Sequence, residues 1–529
     1  SDILCSHFMI FEMEFTVNKI RHVLLFVLMS FISISLSFGQ ESRPAKPYEA
    51  NWQSLSMHRT PDWLLDAKFG IYAHWGLYAV PEYRGPRYGK EMYEKGSDVH
   101  EYHKKRYGDP ADFGYSDFIP LFTADEFDAA EWAKMIKESG ARFAGICVIH
   151  HDGFGLWDSD VYKWNVGKVG PKRDLYGELA EEIRKNDMKL AATFHHARTF
   201  NWRLPKNITE QEKKNWDLFD PQFAELFWNE VTGKKEDFAR QWQTKVLEVI
   251  DKYKPDFLWF DGMASAMKKD ALPEKFVTSV FAHYFNSAQQ WDAEVDIANK
   301  LPASKRYNFP EEFGFLCYEN SRNRPDLPPR EWLTDRAMGY PWGYVKNKKY
   351  IAVDNHINSL VDIVSRNGVF MLSLTPKANG EIPKEEKHIM AEMGKWLSIN
   401  GDAIYSTNPW RIFGEGPSPI KKYNKKKGRY DWLSANFTAQ DIRFTTKGKA
   451  IYAIALDWPE NGELTIKSMN SNEQLSSGGI NSIEMLGLKN NLQWSRNGSG
   501  LKIEVPKEKP CDYAFAFKIT LKGELTSAE

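Results

Sequence analysis

Residues 143–152 read FAGICVIHHD, an apolar run that ends in two histidines and a carboxylate. Two other apolar runs also end in polar side chains: residues 69–75 close with His74-Trp75, and residues 257–260 are followed by Asp261-Gly262. Such β-type runs alternate with helical patterns from about residue 60 to residue 395, which predicts a parallel α/β architecture. In a (β/α)8 barrel the carboxyl ends of the strands converge on one face, where active sites lie. We therefore predict a (β/α)8-type, TIM-like barrel with a pocket at these strand ends.

The candidate elements of this barrel can be named from their periodicity. Strands are predicted at Phe69–Trp75, Phe143–His150, Leu190–His196, Phe257–Asp261 and Val369–Leu374. Helices are predicted at Ala129–Ser139, Leu175–Asn186 and Phe238–Tyr253. The long polar stretch Arg203–Lys235 is predicted to be an insertion over one rim.

Beyond about residue 400 the pattern changes to short β-type runs separated by turn residues. These runs are Ile442–Thr445, Ala450–Leu456, Glu463–Ile466, Ser482–Met485 and Tyr513–Ile519. They predict a C-terminal all-β sandwich. We assign residues 40–400 to the barrel domain and residues 401–529 to the sandwich, with the boundary near Gly401–Gly416.

Length and charge narrow the class of protein. The chain has 529 residues, which suits a large domain with a smaller partner. Its 70 Lys+Arg balance 71 Asp+Glu, and no basic stripe dominates, so nucleic-acid binding is not expected. Of the 19 Trp residues, most are expected to fill the core and a few to pack on sugar rings.

Residues 1–39 predict a secretory signal peptide with upstream residues before it. Basic side chains at residues 19–22 precede an apolar run at residues 23–38, which small and polar residues follow. This order is typical of a secretory signal, and the run is too short and too often interrupted to favour a membrane span. We therefore expect a secreted or periplasmic protein.

Asp261 allows two interpretations from pattern alone. It follows Leu258-Trp259-Phe260 and precedes Gly262, which lets the backbone turn tightly. A carboxylate there could attack an anomeric carbon, or it could cap the following helix, a common use of Asp. The residues leave both interpretations open.

The histidines also have more than one interpretation. Paired residues such as His150 and His151 often form hydrogen bonds in a core. Metal binding by His74, His150 and Asp152 is another hypothesis, but no His-x-His or Glu-x-x-His spacing supports it, and we rank it lowest. Imidazoles, a carboxylate and tryptophans suit the binding of sugar hydroxyls better. We therefore predict no metal and no cofactor.

Six segments occur in a defined order along the chain. They are Phe69–Gly76, His150–Phe154 with Leu156-Trp157, Leu258–Gly262, Trp332–Asp335 with Trp342–Tyr344, Leu372–Gly380 and Gly401–Tyr405. Together, over about residues 63–417, they resemble glycoside hydrolase family 29, the α-L-fucosidases. The specificity lies in the order of the six, since each segment alone is a weak signal.

The resemblance implies a retaining exo-α-L-fucosidase. Retaining glycosidases place two carboxyl groups roughly 5–5.5 Å apart, one as nucleophile and one as acid/base. Asp261 matches the family nucleophile. Glu319, after the apolar run 313–317, is the predicted acid/base. Three further carboxylates stay open as rivals for the acid/base role: Glu311, Glu312 and Glu331.

The resemblance also implies residues that bind the sugar. His74, His150 and His151 match family positions that contact fucose hydroxyls, and Trp259 is expected beside the ring. The other predicted substrate-binding residues are Trp75, Glu91, Arg306 and His195. His195 belongs to Thr193-Phe194-His195-His196, which stands where the family often has a Tyr pair, so the subsite chemistry is expected to differ there.

Two other functions compete with this prediction. One is a hydrolase of the same barrel that acts on sulfated fucan or another deoxy sugar. The other is a non-catalytic fucose-binding protein, which would be expected to lack the nucleophile, although Asp261 is present. The predicted partner is a fucosylated glycan, and linkage, aglycone, sulfation, homo-oligomeric state and the role of the sandwich stay open.

Overall fold

The structure is a computed structural model that describes residues 46–300, 309–321, 328, 330–418, 421–424, 429–432 and 437–526. The predicted leader, residues 1–39, and Arg306 lie outside the described residues. Within the described ranges, every helix is too short or too polar to cross a membrane. The bounds of the two predicted domains stay a prediction.

Eight parallel strands close into a barrel, as predicted. They are β1 Phe69–Ala73, β2 Phe143–Ile149, β3 Lys189–Phe194, β4 Phe257–Phe260, β5 Asp296–Lys300, β6 Phe315–Cys317, β7 Trp332–Ala337 and β8 Gly368–Leu374. Each strand pairs with its neighbours in sequence, and β8 pairs with β1 to close the ring. The predicted strands correspond to β1 to β4 and β8, whereas β5, which carries three polar residues, and the three-residue β6 have no clear strand signature.

The barrel interior follows the two-residue alternation of a strand. Tyr72, Trp259, Cys317, Leu333 and Met371 belong to one buried cluster inside the ring. The intervening residues of the same strands, such as those at positions 71, 258 and 370, belong to the larger cluster between strands and helices. In each strand, the last inward-facing residue at the carboxyl end therefore points into the space at that end of the barrel.

Helices surround the barrel and connect its strands. The three predicted helices are present at Ala129–Glu138, Leu175–Lys185 and Lys235–Tyr253. The insertion between β3 and helix Lys235–Tyr253 contains only the short helices Glu210–Asn215 and Ala224–Phe227 and three-residue turns. The other helices in the described ranges are Trp52–Leu55, Asp62–Ala67, Tyr88–Glu91, Asp98–Arg106, Met263–Lys268, Glu274–Gln290, Val353–Ser365 and Lys384–Asn400.

The C-terminal part is the predicted sandwich of antiparallel sheets. One sheet has the spatial order Asn408–Glu415, Ile442–Lys447, Ala450–Ala455, Phe515–Leu521 and Ile480–Met485, and the other has the order Glu463–Ile466, Gly500–Glu504 and Trp494–Asn497. Ile451 and Phe517 of the first sheet and Leu464 and Ile503 of the second share one buried cluster. Two-stranded ribbons form at Lys421–Asn424 with Arg429–Trp432 and at Gly339–Tyr340 with Lys349–Tyr350.

The other face of the five-stranded sheet covers barrel helices. Tyr452 and Ile454 of this sheet belong to the same buried cluster as Trp396 of helix Lys384–Asn400. The Trp396 indole donates a hydrogen bond to the Ala514 carbonyl at 2.7 Å. The sandwich therefore covers apolar helix surface that would otherwise face solvent.

A buried ion triad joins the two parts of the molecule. Asp362 of helix Val353–Ser365 lies 3.1 Å from Arg366 and 2.7 Å from Arg443 of the sandwich. All three side chains are nearly inaccessible to solvent. Removing one partner from such a group leaves buried charge without compensation, which is more destabilising than the pair itself is stabilising.

We expect Asp362→Ala to lower the free energy of unfolding by about 3–5 kcal/mol. Urea unfolding followed by tryptophan fluorescence measures this change. Asp354→Asn on the same helix is the matched control, because Asp354 is exposed, and it is expected to change stability by less than about 0.5 kcal/mol. Equal stability of the two variants would contradict a structural role for the triad.

Candidate active site

A cavity of about 430 Å³ opens at the carboxyl ends of the barrel strands. Its size suits one sugar ring with part of a neighbouring group. Seven of the predicted site residues line it: His74, His150, His151, His195, Trp259, Asp261 and Glu319. Other residues that line it include Arg84, Arg87, Arg198, Trp202, Lys300, Asp335 and Trp342.

Asp261 faces this cavity and does not cap a helix. The cap position of helix Met263–Lys268 is Gly262, whose φ of 70° is in the left-handed region that glycine adopts easily. The Asp261 side chain instead contacts Lys300 Nζ through Oδ1 and lies 3.3 Å from His151 Nε2 through Oδ2. Of the two interpretations open from the sequence, the structure excludes the helix cap, and the role of Asp261 as a nucleophile stays a prediction.

Glu319 lies just after the carboxyl end of β6, as Asp261 lies just after that of β4. It begins the short turn Glu319–Ser321, and its Oε2 lies 2.7 Å from Lys300 Nζ. The rivals occupy the opposite end of the barrel, because Glu311 and Glu312 precede β6 and Glu331 precedes β7. Glu311 and Glu312 are also exposed. Glu319 is therefore the acid among these four that reaches the cavity.

The carboxyl groups of the cavity differ in pKa. Burial alone would raise the pKa of Asp261, but the adjacent Lys300 ammonium holds it well below its usual range. Burial and the nearby Glu319 charge raise the pKa of Asp335 to about 7. Asp335 is 1% exposed and accepts a hydrogen bond from the Tyr72 hydroxyl at 3.2 Å. Asp261 is thus ionised at neutral pH, whereas Asp335 retains a proton in part of the molecules.

Buried imidazoles form one wall of the cavity. Burial lowers the pKa of His74 to about 3 and lowers those of His150 and His195 well below the usual range, so these rings are neutral. His74 Nδ1 lies 2.8 Å from Ser373 Oγ, and His195 Nδ1 lies 3.0 Å from Cys147 Sγ. These contacts orient both rings and leave their Nε2 atoms for a ligand. A neutral imidazole with a free nitrogen can donate to or accept from a hydroxyl group.

One group of side chains in the described part of the chain could hold a metal ion. It consists of His74, His150 and His195, whose nitrogen atoms lie within 4.8 Å of one another. Asp152, named in the metal hypothesis, is not part of it and instead accepts from Tyr115. The rings of His150 and His195 stack at 4.6 Å with 17° between their planes. Zinc requires ligand nitrogens at about 2.0–2.1 Å, and that these three rings bind separate hydroxyl groups and no ion stays a prediction.

Two predicted substrate-binding residues do not line the cavity. Trp75 packs against Phe122 and Trp132 in the layer between strands and helices, because alternation after His74 turns it outward. Trp75 is therefore not among the residues that line the cavity. Glu91 is buried and pairs with Arg84 and Arg87 at 2.6 Å each. It therefore positions two arginines that line the cavity and is not itself a lining residue.

Sequence reasoning missed Lys300 and Asp335. Both lie in strands that were not predicted, β5 and β7, although Asp335 falls inside a quoted motif. With these strands known, the two-residue alternation predicts both residues to face inward. Lys300 lies two positions after inward-facing Ala298, and Asp335 lies two positions after inward-facing Leu333.

Two carboxylates that face one cavity across a shared ammonium are suited to glycoside hydrolysis, and on this fold they define a glycoside hydrolase of the (β/α)8 barrel class. The alpha-L-fucosidase family model matches residues 36–402, and the alpha-L-fucosidase C-terminal domain model matches residues 435–520. The chain belongs to the alpha-L-fucosidase family, glycoside hydrolase family 29.

Individual relatives agree with this membership. The chain is 30% identical to the tissue alpha-L-fucosidase of Bos taurus over 499 residues, which cover 89% of this chain and 91% of the relative. It is 29% identical to the tissue alpha-L-fucosidase of Homo sapiens, over 94% of this chain and 96% of the relative. Among solved structures, the Thermotoga maritima alpha-fucosidase in complex with a mechanism-based inhibitor is similar with a TM-score of 0.69 and 28% identity, over 89% of this chain and all of that one.

Proposed function

We propose that this enzyme is a retaining exo-α-L-fucosidase that removes terminal fucose from glycans by double displacement. The observation that carries the proposal is the shared contact of Asp261 and Glu319 with Lys300 Nζ. Two carboxylates that bind the same ammonium are close enough to act on one anomeric carbon. Inverting enzymes need a wider gap, since a water molecule must fit between the carboxylate and the sugar.

In the first step Asp261 attacks C1 while Glu319 donates its proton to the glycosidic oxygen. The C1–O bond breaks, the leaving alcohol departs, and a fucosyl ester forms on Asp261. In the second step Glu319 takes a proton from water, whose oxygen attacks C1 and releases Asp261 as carboxylate. Fucose leaves with its original anomeric configuration. The low pKa of Asp261 supports the role of nucleophile, because the attacking group has to be ionised.

The imidazole wall supports recognition of the sugar. His74, His150 and His195 offer neutral nitrogens that can bind hydroxyl groups without requiring a charged ligand. Trp259 lines the cavity with 1% of its surface exposed, and its indole donates to Cys317 Sγ at 3.2 Å. A flat, fixed indole of this kind packs well against the C–H groups of a pyranose ring.

The proposal is tested with a nitrophenyl α-L-fucoside and proton NMR of the first product. The expected result is release of nitrophenol together with α-L-fucose that only later mutarotates. Immediate formation of the β anomer would refute retention. Absence of hydrolysis of aryl fucosides and of fucosylated oligosaccharides alike would refute the activity.

A second candidate is action on a sulfated fucan. It is favoured by Arg84, Arg87 and Arg198, which line the cavity and are partly or largely exposed. A guanidinium group binds a sulfate ester through paired N–H donors. Assays on linkage-defined fucosides with and without sulfate separate the two candidates: activity confined to sulfated substrates would favour the second.

Removal of metal ions is expected to leave hydrolysis of the aryl fucoside unchanged to within about twofold, because both proposed catalytic groups are carboxyls. Dialysis of the enzyme against EDTA, followed by kcat/KM measurement, checks this. Loss of activity that returns on addition of Zn²⁺ would contradict the expectation and would indicate that His74, His150 and His195 bind a metal ion.

Secretion or periplasmic location stays a prediction that rests on residues 19–42. N-terminal sequencing of the protein exported from its host tests it. A mature chain that begins near residue 40 is the expected result.

A further inference from the structure

Lys300 lies between the two proposed catalytic carboxylates because of the strand order. It is the last residue of β5, and β5 pairs with β4 on one side and β6 on the other. Asp261 follows β4, and Glu319 follows β6 with one residue between. Ala298 faces the barrel interior, so the alternation directs Lys300 to the same side. The ammonium group therefore reaches the space between the two carboxylates.

The contacts hold the ammonium in place. Lys300 Nζ contacts Asp261 Oδ1, lies 2.7 Å from Glu319 Oε2, and stands 4.6 Å from the centre of the Trp259 ring. An ammonium has three donors, and the carboxylates take two of them. The side chain is 20% exposed, so solvent weakens these interactions much less than at a surface.

The charges around Lys300 show which groups it can influence. Asp335 of β7 acts on it electrostatically together with Asp261 and Glu319. His74 and His195 also lie within its electrostatic reach, but their rings are neutral. On the far side of Asp261 lie His151 at 3.3 Å and the half-exposed Arg198 at 4.0 Å. Lys300 is the cation that contacts both carboxylates within the described residues.

We propose that Lys300 is a positioning residue that couples Asp261 to Glu319 and sets the pH range in which the pair works. This inference rests on the proposed function, since it assumes that one carboxylate attacks and the other exchanges a proton. A positive charge favours the ionised form of both carboxyls. It therefore helps the nucleophile and opposes protonation of the acid/base.

Loss of the charge should move both limbs of the pH profile in the same direction. The acid limb of kcat/KM reports ionisation of the nucleophile in the free enzyme, and the alkaline limb reports deprotonation of the acid/base. Without Lys300 both pKa values rise. The whole bell-shaped profile should then shift to higher pH, by about 1–3 units as expected for an opposite charge at this distance.

The experiment compares kcat/KM profiles of an aryl α-L-fucoside for wild type, Lys300→Gln, Lys300→Arg and Lys268→Gln. Lys300→Gln should shift both limbs upward, and Lys300→Arg, which retains the positive charge, should shift them much less. Lys268→Gln removes an exposed charge from the helix that follows Asp261 and should match wild type. Thermal unfolding of each variant checks that it is folded.

If Lys300→Gln is too slow for steady-state assay, the rate of labelling of Asp261 by 2-fluorofucosyl fluoride, followed by intact mass against pH, yields the same acid limb. A lower rate with unmoved limbs would overturn the proposal and leave Lys300 a purely structural residue. An inactive wild-type enzyme would instead refute the proposed function, so the two failures are distinguishable.

Discussion

Asp261→Ala is expected to lower kcat/KM for an aryl α-L-fucoside by at least about 10⁴-fold, because residues that act as one catalytic unit lose nearly all activity when one is removed. The fold should survive, since Asp261 lies at a strand end and not in a close-packed layer, with 9% of its surface exposed. Initial rates at substrate concentrations well below KM measure the loss of kcat/KM, and thermal unfolding measures the stability of the variant.

Two further measurements make this result specific. The smaller side chain leaves room for azide, which should attack C1 from the side of the missing carboxylate and restore turnover with a β-fucosyl azide as product. Asp270→Asn is the matched control: Asp270 is exposed just beyond the next helix at a positive φ of 55°, which Asn tolerates. Retention of more than a few per cent of activity in Asp261→Ala would exclude Asp261 as the nucleophile.

Glu319→Ala is expected to separate substrates by leaving group. For alkyl or glycan aglycones, kcat/KM should fall by about 10²–10⁴-fold, the usual contribution of general acid–base catalysis. For an aglycone as acidic as dinitrophenol, the first step needs little protonation, so kcat/KM should fall far less. The fucosyl ester should then accumulate, since no base activates water, and intact mass spectrometry should detect it.

The rivals of Glu319 provide its controls. Glu311→Gln and Glu312→Gln change exposed carboxylates at the amino end of β6 and should leave activity within about twofold of wild type. Added azide should speed turnover of the activated substrate by Glu319→Ala, because an anion needs no general base. An equal loss for all aglycones in Glu319→Ala would argue against an acid/base role.

Much of the barrel could be predicted because its strands differ locally from their surroundings. The runs at β1 to β4 and β8 are apolar and end in polar groups, and the predicted helix bounds differ from the observed ones by no more than three residues. β5 escaped prediction because Asp296-Ile297-Ala298-Asn299-Lys300 is mostly polar, and it becomes a strand through its pairing with β4 and β6. Tertiary pairing here overrides local propensity.

Some features of the candidate site could likewise be predicted from the sequence, and others could not. That Asp261, Glu319 and the histidines line one cavity could be predicted, since each follows a recognisable run or matches a motif. Trp75 does not line the cavity, because adjacent residues in a strand face opposite sides and only His74 points into it. Glu91 is not among the lining residues, but it pairs with Arg84 and Arg87, which are.

The sequence by itself determined the barrel followed by a β-sandwich, the direction of its strands, and the polar groups at their ends. Only the tertiary structure decided that Lys300 joins Asp261 to Glu319 and that His195 stacks on His150. The physical reason is that hydrophobic periodicity is local and survives in any short window of the chain. Distances between strand ends depend on barrel closure and register, which arise from contacts between residues tens to hundreds of positions apart.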